Sequence, residues 1–315
     1  MKASFCCAMI LVLVGPALSA QAIAFQSLPT AITGSYDGNS GTTLPQVFSL
    51  GYSTPTTEGN ASGAFFVTVS PGLYGNFSQR ALSGGGGQRM AYQVYDSATS
   101  RKVLKDLSVG PGREAVLSGV FPVQSNRKTE TLSFVVVVPA GQMPYSGIYQ
   151  DVLVLNLYQG TPDNHGPSVG TASVTVTLAM PAVMDMSLAR TGGAFLEGIP
   201  SLNLDFGALS IGEIRSADLI VRSNTPYSLS VSSQFGSTLM NVDSASTGMV
   251  PLQFKVKGVV FSLAQGALTP LVSVATPPPA DSAGERFDLL FTVGDFDLAP
   301  AGNYRNVLSF TLTAK

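Results

Sequence analysis

The stretch "GIYQDVLVLNLY" (residues 147–158) returns as "GNYRNVLSFTLT" at residues 302–313. The two lie 155 residues apart, and the likeness extends upstream without a gap. "LSFVVVVPAGQMPYSGIYQDVLVLNL" (132–157) sets against "FDLLFTVGDFDLAPAGNYRNVLSFTL" (287–312). Each copy reads as a strand, a turn containing Pro and Gly, and a second strand. Similarity of this length at one fixed spacing points to tandem domains. "FFVTVS" (65–70) pairs more weakly with "YSLSVS" (227–232), while "MAYQVY" (90–95) and "PLQFKV" (251–256) share alternation only.

The last strand of each copy alternates. Leu153, Leu155 and Leu157 point to one side, as do Leu308, Phe310 and Leu312. Tyr149 and Tyr304 stand at the strand starts, just past a corner. In immunoglobulin-like sandwiches a Tyr at the start of strand F bonds back across such a corner, so both segments read as strand F. Downstream the copies part company. The first is followed by "QGTPDNHGPSVG" (159–170), read as a polar loop, and then by "TASVTVTLAM" (171–180). There Val174, Val176 and Leu178 alternate as a strand G would. The second is followed in the sequence only by Ala314 and Lys315. The expected fold is therefore all-β: two tandem immunoglobulin-like β-sandwich domains at residues 23–180 and 181–315, the second incomplete, lacking its last strand. A missing edge strand exposes an apolar groove and unpaired backbone groups. Leu308, Phe310 and Leu312 are expected to line that groove.

Composition agrees with an exported β protein. Glycine and proline (33 and 20 of 315 residues) punctuate the chain at short intervals, and helical patterns are scarce. Charged residues make up 11% and the formal net charge is -2. With no basic block, nucleic acid and anionic membrane surfaces are poor partners. The opening "MKASFCCAMILVLVGPALSAQAIA" (1–24) has a positive Lys2, an apolar run at 5–14 too short to span a bilayer, and Ala20-Gln21-Ala22 as an A-x-A-like site. Residues 1–22 read as a secretory signal peptide, cut after Ala22 or after Ala20. The only cysteines, Cys6 and Cys7, lie within it. The mature chain would then be exported without a disulfide.

Little in the sequence points to catalysis. His165 is the only histidine and sits among Gly, Pro, Asn and Asp. A zinc site needs several convergent ligands, and no cysteine of the expected mature chain could join it; no G-x-S-x-G elbow accompanies it for a triad. It reads as a solvated loop residue. "SGGGGQR" (83–89) lacks the Lys-Ser/Thr of a phosphate loop and reads as a hairpin connection. Asp281, Glu285, Asp288, Asp295 and Asp297 do not have EF-hand spacing. Asn60-Ala61-Ser62 and Asn76-Phe77-Ser78 are formal glycosylation sequons. No catalytic residue, metal or cofactor is expected. The rival class is an exported β-sandwich enzyme acting on carbohydrate through two carboxylates converging in a cleft.

The closing motif G-x-Y-x-[DN]-x-[VL], with "LDFGALS" (204–210), "SNTPYSLSVSS" (223–233) and "NFSQRALSGGGGQRMAYQVYDSA" (76–98), resembles the spore coat protein U domain of Csu-type pilins. Those pilins belong to the archaic chaperone–usher pathway. The resemblance implies an incomplete immunoglobulin-like fold. Its groove is filled first by a periplasmic chaperone and then by the N-terminal strand of a neighbouring pilus subunit, by strand addition. An usher is the further partner implied. The family's usual cysteine pair is absent, with Met in "MPAVMDMSL" (180–188) where one Cys is expected. Two-domain relatives of this kind resemble tip adhesins, which carry a binding domain over an incomplete pilin domain. A non-adhesive adaptor or coat subunit is the neighbouring alternative. Either would pass through the periplasm to the cell surface.

If residues 171–178 form strand G, the F–G and B–C connections lie at the end of the first domain remote from the second. The proposed B–C loop opens "PGLYGNF" (71–77), directly after the strand at 65–69. Leu73, Tyr74 and Phe77 sit there among Gly and Pro, either folded back as a lid on the core or forming an apolar contact patch for an abiotic or host surface. His165 would be a polar neighbour of that patch.

Overall fold

The computed structural model describes residues 22–53, 63–110, 112, 115–121, 127–198, 201–243, 248–276, 284–297 and 299–315. The signal segment through residue 21 with both cysteines, the sequon at Asn60 and Asp281 lie outside the described residues. Within them the chain is all-β, with no α-helix and two short 3₁₀ turns.

The first unit holds ten strands: β1 (Ala22–Ser27), β2 (Ala31–Ser35), β3 (Thr42–Ser53), β4 (Gly63–Val69), β5 (Arg80–Ser83), β6 (Arg89–Tyr95), β7 (Leu117–Phe121), β8 (Arg127–Val138), β9 (Gly147–Thr161) and β10 (Asn164–Met180). One layer runs β1-β3-β8-β6-β5, the other β7-β4-β9-β10-β2, and the Ser83–Gln150 pair joins them. Alternation turns one face of each layer inward. Phe48, Leu50, Phe134 and Val136 from the first layer meet Phe65, Val67, Leu153, Leu155 and Val174 from the second, all essentially solvent-free.

The second unit repeats the plan: β11 (Met184–Arg190), β12 (Ile214–Ser223), β13 (Tyr227–Ser233), β14 (Thr238–Asn241), β15 (Met249–Val256), β16 (Val259–Phe261), β17 (Leu268–Val274), β18 (Glu285–Val293), β19 (Tyr304–Arg305) and β20 (Leu308–Ala314). One layer runs β11-β12-β18-β15-β14-β19 with β16 beside β15, the other β17-β13-β20. Its separate core gathers Leu219, Leu229, Val231, Phe254, Phe287 and Leu289. Between the units, buried Asn224 donates to Pro181 O (2.9 Å) and its side-chain oxygen accepts from Val183 N (2.8 Å).

The register verifies the repeat residue by residue. Val67 and Val69 pair with Leu157 and Leu155. Leu229 and Val231 pair with Leu312 and Phe310, which stand 155 residues after Leu157 and Leu155. "FFVTVS" and "YSLSVS" are thus the same strand in the two units. One match needs moving. Gln93 pairs with Val137 and Gln253 with Thr292, so Met90 corresponds to Val250 and not to Pro251. Alternation cannot set register by itself, and a slip of one residue exchanges the two faces. The polar stretch 159–170 is also not an open loop. β9 and β10 continue as a hairpin to Thr161 and Asn164, with irregularities around Ser168 that absorb its Gly and Pro. The glycine run at 84–87 is the β5–β6 hairpin connection, with Ser83 paired to Arg89.

Candidate functional site

Both strand-F corners close as their tyrosines require. The Tyr149 hydroxyl donates to Tyr145 O at 2.7 Å, and that of Tyr304 to Pro300 O, each four residues back. Two residues on, the motif carries Asp151 in one copy and Asn306 in the other. Asp151 Oδ1 accepts from Leu73 N and Val152 N, both at 2.8 Å. Asn306 Oδ1 accepts from Phe235 N (3.2 Å) and Val307 N (2.7 Å). Leu73 lies four residues after Val69 and Phe235 four after Val231, the matched positions of β4 and β13, so the Asp/Asn position pins the turn after that strand in both units. Asn306 also donates to Gly236 O and Thr238 O. Asp151 instead accepts from the Tyr92 hydroxyl at 2.6 Å.

Beyond this shared corner the two units differ at one edge. In the first, β10 lies along β9 from Gly147–Met180 to Thr161–Asn164, and β2 lies parallel to β10 on its far side. Val174, Val176 and Leu178 cover the core, and Leu153, Leu155 and Leu157 have no exposure. In the second, β20 pairs with β13 on one side, and among the described residues no strand pairs with its other side. Leu308, Phe310 and Leu312 are only half-buried. Beside them opens a groove of about 690 Å³. Leu308 and Phe310 form one wall, and Leu239, Leu252, Leu289 and Phe291 are among the residues beneath. Leu312 packs on the second core outside the groove lining. The opposite wall is Leu202, Leu204, Phe206 and Leu209. The spaced apolar residues of "LNLDF" (202–206) are the signal that could have marked it.

The loop at 71–77 is built differently from the expectation. β4 runs from Phe65 beside Gln159 to Val69 beside Leu155, which carries the following loop toward Asp151, away from the β9–β10 turn. The loop is thus not at the same end as the F–G connection. His165 is not its neighbour either: it lies edge-on to Phe66 (5.5 Å) and Tyr158 (5.3 Å). Asp151 seats the loop through Leu73 N. Gly72 has φ +85°, and a Cβ there would run into the Asp151 carboxylate. Below it lies Arg80, fully buried, donating to Ser70 O (2.9 and 3.1 Å) and Leu104 O (2.7 Å) and to the Gln93 side chain. Burial lowers its pKa to about 10, against the opposing pull of Tyr92 and Asp151. Leu73 (66% exposed) and Tyr74 (41%) project from this fixed base, and Arg89 stacks on the Tyr74 ring at 4.2 Å. Phe77 is half-buried with the Arg80 guanidinium 5.3 Å from its ring, closer to the lid expectation than to a contact residue.

Two sandwiches with paired tyrosine corners define a tandem immunoglobulin-like protein. Residues 29–156 match the family model of the Spore Coat Protein U domain. The resemblance read from residues spanned most of the chain; the match lies within the first sandwich. No curated protein sequence matches the chain. Among solved structures, one similar to it is a chaperone–tip adhesion subunit pre-assembly complex, CsuC–CsuE, from the archaic chaperone–usher Csu pili of Acinetobacter baumannii. It has 11% identity and a TM-score of 0.41, covering 91% of this chain and 99% of that one. Another is the CupB6 tip adhesin from Pseudomonas aeruginosa, at 12% identity and TM-score 0.39, covering 93% and 94%.

Proposed function

We propose that the chain is a structural and adhesive subunit of a bacterial surface pilus assembled by the chaperone–usher pathway, acting by binding and assembly without a catalytic step. The observation that carries this reading is the open edge of β20 above an apolar groove, where the first sandwich keeps its own strand β10. The Spore Coat Protein U domain supports it through the assembly that its pilins use. In this reading a periplasmic chaperone, and then a strand of a neighbouring subunit, fills the groove during export to the cell surface through an usher. β10 is the template for the occupant, an extended segment with apolar residues at alternate positions. The first sandwich is the adhesive one, at the tip of the fibre. Leu73 and Tyr74, held rigidly by Asp151 and Arg80, meet an abiotic or host surface through apolar contact, with Phe77 bracing the loop.

The groove is tested by fusing "TASVTVTLAM" through a short turn after Lys315 in the full chain. The expected result is a large rise in the melting temperature of the second sandwich. No rise, in a chain whose second sandwich already melts cooperatively and high, would overturn the reading. The loop is tested by Leu73→Ser with Tyr74→Ser. Surface attachment should fall while the melting temperature holds, and attachment at the original level would remove the loop from the account.

A further inference from the structure

The wall of the groove facing β20 has the pattern of a strand without the partners of one. Leu202, Leu204 and Phe206 turn toward the groove while Asn203 and Asp205 are exposed, yet the segment joins no ladder among the described residues. The first sandwich gives the reason. There β2 is fixed by pairing with β10, from Ala31–Thr175 to Ser35–Ala179. Around the groove no described strand occupies the place of β10, so the facing segment must be anchored in another way.

Arg215 supplies the anchor. Its Nε donates to Asp205 O at 2.9 Å and its Nη2 to Phe206 O at 3.2 Å, while the guanidinium lies 5.4 Å from the centre of the Phe206 ring. Glu213 Oε1, 2.6 Å from Nη2, fixes the guanidinium plane. Glu213 is itself tied down. Its N–H donates to Ser210 O, and its carbonyl accepts from Val293 N at 2.9 Å. A planar fork that bonds two successive carbonyls and stacks on a ring is a task for Arg, which Lys cannot repeat.

An apolar strand-like segment facing an unpaired apolar edge is under pressure to close onto it, because closure buries side chains and pairs backbone groups. We propose that Arg215, oriented by Glu213, is the positioning residue that keeps the 202–206 wall apart from β20, so that the groove stays open for an incoming strand. This rests on the groove reading above. It adds that readiness to receive the strand is set by a side chain outside the apolar lining.

The test uses the full chain and a synthetic peptide "TASVTVTLAM", with association followed by stopped-flow fluorescence of a labelled peptide. Arg215→Ala should slow association about tenfold, equivalent to about 1.4 kcal/mol in the barrier. Arg215→Lys should restore little of that loss. The melting temperature of the peptide-filled variant should match that of the filled parent, a readout that a merely structural role would lower. Hydrogen exchange before peptide addition should show β20 amides more protected in Arg215→Ala than in the parent, because the wall has closed on them. An unchanged association rate in Arg215→Ala, with the parent binding normally, overturns the proposal and leaves the groove reading standing. A parent that does not bind the peptide overturns both. Should Arg215→Ala fail to fold, Glu213→Gln replaces it: slower association with the filled melting temperature retained supports the role, and an unchanged rate refutes it.

Discussion

Asp151 and Asn306 occupy one motif position and hold the same two backbone N–H groups, but their remaining partners differ. The carboxylate takes a hydroxyl from Tyr92. The amide gives its hydrogens to two carbonyls, and Leu252 stands where Tyr92 would be. Each replacement by Ala strands buried partners, at about 1–3 kcal/mol per group left unpaired. Urea denaturation should register such a loss for Asp151→Ala in the first sandwich and for Asn306→Ala in the second. Asp151→Asn should cost less, since Oδ1 can still accept from Leu73 and Val152. The Tyr92 hydroxyl is raised above its usual pKa of 10.0 by burial and then by its bond to Asp151. A raised acid binds its proton more tightly in the folded chain. Its contribution to stability is therefore complete below pH 10 and is lost as pH rises above it. Arg80, lowered from 12.5 to about 10, acts in the opposite sense between those values. Tyr92→Phe removes only the falling contribution, so its stability should decline less steeply above pH 10 than that of the parent. An equal slope would mean that Tyr92 does not hold its proton as described.

At the scale of elements, what could be read from the sequence was what local chemistry dictates. Tyr149 and Tyr304 gave their corners away because the bond they make spans four residues. "FFVTVS" and "YSLSVS" gave the same strand twice because both keep apolar residues on the inward face. Register was harder. That Met90 corresponds to Val250 depends on how β6 and β15 lie on β8 and β18, which alternation does not record. The hairpin at 159–170 was hidden by Gly and Pro that sit at bulges instead of in a loop. The site of the 71–77 loop depends on where β4 ends against β9, a long-range fact. The wall at 202–206 was missed because a strand without a partner leaves only a short alternation, and Arg215 gave no signal at all. β10 carries the clearest prediction at this scale. Val174→Ser, Val176→Ser and Leu178→Ser together remove side chains worth about 1.5–3 kcal/mol each on burial. The triple variant should give the first sandwich the properties of the second, with β9 amides exchanging rapidly on the side that β10 now protects. Protection unchanged in that variant would show that β10 is not what closes the first sandwich.

In the whole molecule one fold appears twice, once closed by its own strand and once, in the function proposed above, open for a strand from elsewhere. A strand patterned on β10 would bury four apolar side chains, those at the places of Val174, Val176, Leu178 and Met180, for on the order of 6–12 kcal/mol before ordering costs. That is comparable to the whole stability of an ordinary domain, so filling the groove should dominate the behaviour of the second sandwich. The most direct measurement is amide hydrogen exchange of the full chain with and without the peptide "TASVTVTLAM". The expected result is saturable protection of two segments together, β20 on its open side and residues 202–206, with exchange in the first sandwich unchanged. Protection of neither segment in a folded chain at saturating peptide, or protection confined to the first sandwich, would contradict it.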